Sequence, residues 1–157
     1  MRIRKVYLET SALNFVFADD SPDKKMDTLK LFEEIRGGKY LSFTSSYVTE
    51  EVDKAPADKR EGIYKLIIEH KTEILQKTEE IKRLAGEYVK EGIIPEKHMI
   101  DALHIATAAV YDLDMILSWN FQHIVKRKTI IMTESVNLRN GYKKVEIYSP
   151  SEVIEDV

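Results

Sequence analysis

A chain of 157 residues, 43% hydrophobic and 32% charged, has the composition of a soluble globular protein. It is long enough to bury roughly 70% of its unfolded surface as one domain spanning residues 1–157. The net charge of −3 argues against broad nonspecific binding to a phosphate backbone, and the lack of cysteine excludes disulfides, thiolate zinc sites and cysteine nucleophiles. No apolar stretch approaches the roughly 20 residues of a transmembrane helix. Met1-Arg2-Ile3-Arg4-Lys5-Val6-Tyr7-Leu8 lacks the apolar core and cleavage site of a signal peptide, so a cytoplasmic location is expected.

Arg4 to Leu8 is rich in β-branched and aromatic residues and reads as a buried strand ending near Glu9. Thr10 and Ser11 are suited to cap a short helix beginning at Ala12. Asp19-Asp20-Ser21-Pro22-Asp23 is a turn, with Pro22 opening a helix that runs to Arg36. That helix carries Leu29, Phe32 and Ile35 on one face and stops at Gly37-Gly38. Tyr40 to Thr44 reads as a second strand, and Ser45 or Ser46 opens a helix through Val48, Glu51 and Val52. Helices are expected at about 57–70 and 78–91, then a connector at Ile93-Ile94-Pro95 and an apolar helix from His98 to Val110.

Met115 to Ser118 is a short apolar strand leading into Trp119-Asn120. A helix near 129–140 and a last strand, Val145 to Tyr148, follow. Ser149-Pro150-Ser151-Glu152 has the pattern of a capping box. Alternating short strands and helices predict an α/β fold, a three-layer α/β/α sandwich around a mainly parallel sheet.

Asp101 is the anomaly in this pattern. It is the only acid in an almost wholly apolar helix, where a carboxylate is costly unless a metal, a hydrogen-bond network or a positive charge compensates it. His104, one turn along the same face, is one available partner. Open α/β sheets place sites outside the carboxyl ends of their strands. Glu9, Glu51 and Asn120 fall at such ends, and the Asp101 helix precedes the strand that ends at Asn120. Convergence of these four oxygen donors would favour a hard divalent cation, magnesium or manganese. Each residue also has a plainer role. Glu9 suits the positive end of a helix, Glu51 a solvated helix face beside Glu50, and Asn120 a turn. The sequence has no glycine-rich phosphate loop, no nucleophile elbow and no close pair of histidines with zinc spacing. The basic pairs and triplets Lys24-Lys25, Lys126-Arg127-Lys128 and Lys143-Lys144 read as surface clusters, any of which could rim an acidic site.

Taken together, Val6-Tyr7-Leu8-Glu9-Thr10-Ser11-Ala12, Ser45 through Glu51-Val52, Asp101-Ala102-Leu103-His104-Ile105-Ala106-Thr107-Ala108 and Leu117-Ser118-Trp119-Asn120 resemble the four motifs of the PIN-domain nucleases, especially the VapC-like toxin branch. The resemblance spans nearly the whole chain. It implies a metal site of Glu9, Glu51, Asp101 and Asn120 binding Mg2+ or Mn2+, with Thr10 or Ser11 positioning a ligand or water. It also implies RNA cleavage by metal-activated water, a homodimer and a small antitoxin partner. Two positions depart from the family pattern: Glu9 and Asn120 stand where Asp is usual. These departures leave a second reading open, a catalytically silent PIN domain that binds RNA or a protein partner. A third is a generic α/β ligand-binding domain in which Asp101 and His104 satisfy each other.

Overall fold

The computed structural model describes residues 2–155. Five parallel strands form one sheet: β1 (Arg4–Leu8), β2 (Tyr40–Ser45), β3 (Glu73–Leu75), β4 (Met115–Leu117) and β5 (Glu146–Tyr148), in the order β3-β2-β1-β4-β5. Val6, Tyr7 and Leu8 are fully buried, so the first strand of the chain is the centre of the sheet. Register pairs Val6 with Ser42 of β2 on one side and with Met115 of β4 on the other. Helices α1 (Thr10–Asn14), α2 (Pro22–Arg36), α3 (Ser46–Val52), α4 (Ala57–Glu69), α5 (Glu79–Lys90), α6 (Met99–Val110), α7 (Arg127–Arg139) and α8 (Pro150–Val153) cover it. α2 packs on β2 and α8, while α5 packs on α6 and α7, so the sheet lies between two helical layers. No helix among the described residues is long and apolar enough to cross a membrane.

The winding matters for function. The chain steps outward from β1 to β2 and β3, then returns to the opposite side of β1 for β4 and β5. The connections leaving β1 and β4 therefore run to opposite edges of the sheet, and the switch-point crevice expected of such open sheets belongs where their carboxyl ends lie side by side. Glu9 leaves β1 there, with its backbone N–H donating to the Leu117 carbonyl of β4 at 3.2 Å.

The local differences from expectation have physical causes. Glu9 itself caps α1, accepting from the Ser11 N–H, so the helix starts at Thr10 rather than Ala12. In α2 the buried positions are Thr28, Leu31, Phe32 and Ile35, a stripe with helical spacing, whereas Leu29 is exposed. β3 was not anticipated: it is three residues long, and Glu73 gives it no apolar alternation. It pairs only with β2, as an edge strand. The stops and caps hold. α2 ends at Gly37-Gly38, where Gly38 has φ +89°, a conformation costly for a side chain bearing Cβ. α8 opens on the Ser149–Glu152 capping box.

Candidate metal and nucleic-acid site

The carboxyl ends of β1 and β4, the start of α6 and the helix α3 together carry every side chain that the sequence pattern singled out. Glu9 is buried, with Oε1 accepting from the hydroxyls of Ser11 (2.6 Å) and Ser118 and Oε2 accepting from the Ser11 N–H at 3.2 Å. Ser11 Oγ in turn accepts from the Trp119 N–H at 2.7 Å. These hydroxyls tie the end of β1 to the loop after β4.

Glu51 sits on the other side of the crevice. Its Oε1 accepts from Thr10 Oγ1 at 3.1 Å and lies 3.2 Å from His104 Nε2. His104 Nδ1 lies 2.7 Å from the Tyr7 hydroxyl, which lies 2.6 Å from Ser45 Oγ. One proton arrangement satisfies the whole chain: Ser45 donates to Tyr7, Tyr7 to Nδ1, and Nε2–H to Glu51. Burial holds the Tyr7 phenol well above its ordinary pKa, so it stays a donor. Burial pushes the Glu51 carboxyl up, but the hydrogen bonds it accepts from His104 and Thr10, with the charge of Lys54, more than offset this, and its pKa falls below the ordinary value.

The Asp101–His104 pairing considered from the sequence is therefore not formed. Both ring nitrogens of His104 are committed elsewhere. Asp101 is 7% exposed, in the first turn of α6, and no hydrogen bond figures among the influences on its carboxyl. Burial raises its pKa, and the negative charge of Glu9 raises it further, against the pull of His104, His123 and His98. The charge of Glu9 is thus felt at Asp101.

Asn120 plays a different part. Its Oδ1 accepts the backbone N–H of Gln122 at 3.1 Å and of His123 at 2.9 Å, a turn that shapes the loop after β4. The rim of the crevice is basic and aromatic. Lys24 Nζ lies 5.4, 5.6 and 5.5 Å from the ring centres of Phe15, Trp119 and Phe121, and the charges of Lys126 and Lys97 reach His123. Of the other basic clusters, Lys143 is no free surface charge, since it binds the buried Asp114 at 3.1 Å.

Two residues at the crevice had escaped the sequence pattern. His98 and His123 meet with ring centres 4.1 Å apart. Together with Asp101 they form a group whose ligand atoms all lie within 4.8 Å of one another. Among the described residues Glu9, Glu51 and Asp101 do not form so tight a group. The His98-x-x-Asp101 spacing at a helix start was the available signal; His123 had none, because only the fold brings it there.

No protein-family profile matches this sequence, and no curated protein matches it either. A solved structure does: a chain of the crystal structure of VapBC2 from Rickettsia felis bound to a DNA fragment from their promoter. It superposes with a TM-score of 0.55 at 16% identity, over 91% of this chain and 98% of that one. The fold is thus the three-layer α/β/α sandwich expected from the sequence, shared with that chain.

Proposed function

We propose that the protein is a divalent-metal-dependent endoribonuclease of PIN type, the toxin of a toxin–antitoxin pair. The observation that carries this reading is Asp101, a buried carboxylate with no protein hydrogen bond, facing the charge of Glu9 at the switch crevice of the sheet. A carboxylate so largely buried and raised in pKa by its surroundings gains from a cation beside it. The donor set fits a hard cation: Glu9, Glu51 and Asp101 supply carboxylate oxygens, and magnesium keeps several waters, so direct contact with every acid is not required. A bound ion would polarise the phosphodiester and lower the pKa of a coordinated water.

The remaining work belongs to the chain's own residues. Thr10 and His104 fix the Glu51 carboxylate. Ser11 and Ser118 fix Glu9. Asn120, with its side-chain oxygen spent on two backbone N–H groups, completes the site by holding the loop that borders it. Lys24, Lys97 and Lys126 give the crevice a positive rim on an otherwise acidic protein, suited to a phosphate backbone, and the exposed Phe121 ring offers a stacking surface for an unpaired base. The likeness to a chain of the VapBC2 complex supports an antitoxin partner, and the homodimer belongs to the same reading.

The test is direct. Purified protein incubated with RNA should cut it in Mg2+ or Mn2+ and stop on chelation, and Asp101→Asn should fold but lose cleavage by at least about 100-fold, as expected for loss of transition-state stabilisation of several kcal/mol. Equal cleavage by that variant contradicts the reading. RNA binding without turnover, indifferent to metal, would instead favour the silent PIN domain, which the hydrogen-bonded state of Glu9 and Asn120 also accommodates.

A further inference from the structure

We infer that His98, Asp101 and His123 form a second kind of metal site, one that takes a first-row transition ion such as zinc rather than magnesium. One ligand atom from each lies within 4.8 Å of the others, a separation that small side-chain rotations close to the roughly 3.4 Å implied by tetrahedral coordination at about 2.0–2.1 Å. Two imidazoles and one carboxylate are the ligands of borderline ions; magnesium prefers oxygen alone. Three protein ligands also leave a position open for water, the arrangement of catalytic rather than structural zinc sites.

Two independent observations point to an ion at this place. Asp101 is more than nine-tenths buried and takes no hydrogen bond from the protein. His123 Nε2 is a buried nitrogen without a partner. The buried, unpartnered His123 nitrogen is costly, the Asp101 carboxylate beside it has no protein donor, and one cation would satisfy both.

The support around the group is already in place. His98 precedes the first residue of α6, and its N–H is bonded to the Pro95 carbonyl at 2.9 Å. The backbone of His123 is pinned on both sides: its N–H donates to Asn120 Oδ1 at 2.9 Å, and its carbonyl accepts from Thr129 Oγ1 at 2.7 Å. The position usually acidic in the resembled family thus serves here to fix a histidine. Such outer contacts orient ligands and strengthen metal binding.

This site needs neither Glu9 nor Glu51, but it shares Asp101 with the acidic group, so a transition ion and magnesium would compete for that one carboxylate. The experiment is a titration of the metal-free full-length protein with Co2+, followed by visible absorption. A ligand-field band that saturates, that Zn2+ removes and that Mg2+ displaces only at far higher concentration than Zn2+ is the expected result. His98→Gln and His123→Gln should each weaken cobalt binding by more than about 100-fold, beyond the roughly 10–100-fold that loss of an outer contact costs. Far-UV circular dichroism of both metal-free variants checks that they fold. If one does not, the other carries the comparison, and His98, less enclosed at the helix start, is the safer position. Absence of the band overturns the site, as does unchanged affinity in a folded histidine variant. No RNA enters this assay, so its failure and a failure to cleave RNA are separate results.

Discussion

Single side chains here are held by pairs of obligations rather than by bulk packing. Tyr7 shows this most clearly. It is fully buried in the central strand, yet its hydroxyl bridges Ser45 and His104 and so sets the orientation in which His104 meets Glu51. Tyr7→Phe keeps the ring and strands two buried polar groups. It should cost about 1–3 kcal/mol in urea denaturation and reduce RNA cleavage by loosening Glu51. Full stability in that variant would show that the relay is idle. Asp101 was legible from sequence because a charge in an apolar helix has few excuses. His123 was not, since no local pattern ties a loop residue to a helix 22 positions before it in the chain.

At the level of elements, the two ends of the sheet do different work. At the carboxyl ends lies the crevice; at the other end, Asp114 binds the start of β1 to the start of β4. Its carboxylate accepts from both terminal nitrogens of Arg2 at 2.9 Å, from the Lys5 N–H at 2.7 Å and from Lys143 at 3.1 Å. Burial raises the Asp114 pKa, but these donors win and hold it far below the ordinary carboxylate range. The folded state therefore gives up this proton more readily than the unfolded chain does. The stabilisation is complete above the unfolded value of about 4 and drains away as the pH falls toward the depressed one. Asp114→Asn should lose about 2 kcal/mol at neutral pH and show a flatter acid limb between about pH 5 and 2, measured by urea unfolding across that range. An unchanged acid limb would remove Asp114 from the account.

Elements were legible from the sequence in proportion to how strongly they are patterned. The strand β4 announced itself as an apolar run, β1 and β2 by their β-branched and aromatic residues, and α6 as a helix apolar nearly all round. Edge strand β3 did not, because three residues with an exposed first position carry almost no period-two signal. The cap of α1 was placed one or two residues late for a chemical reason. Glu is an unusual N-cap, and here its side chain reaches the Ser11 N–H while also serving the crevice.

For the molecule as a whole, folding brings the negative charge of Glu9 to bear on Asp101, a repulsion that the unfolded chain would escape. A cation that binds only the folded form must then stabilise it. Mn2+ at about 100 times its dissociation constant should add roughly 2.7 kcal/mol, raising Tm by roughly 5–10 °C for a chain of this size, and chelator should reverse the shift. Asp101→Asn should show no such rise. A Tm indifferent to metal in the unaltered protein would mean that repulsion among the acids is relieved in some other way. The most direct test of the central claim, that the lone carboxylate of α6 exists to hold a divalent ion, is an anomalous difference map from a crystal soaked in manganese. The account predicts a peak against the Asp101 carboxylate, within the crevice between the ends of β1 and β4. A well-ordered crystal with no peak there, or with manganese only at sites remote from Asp101, would contradict it.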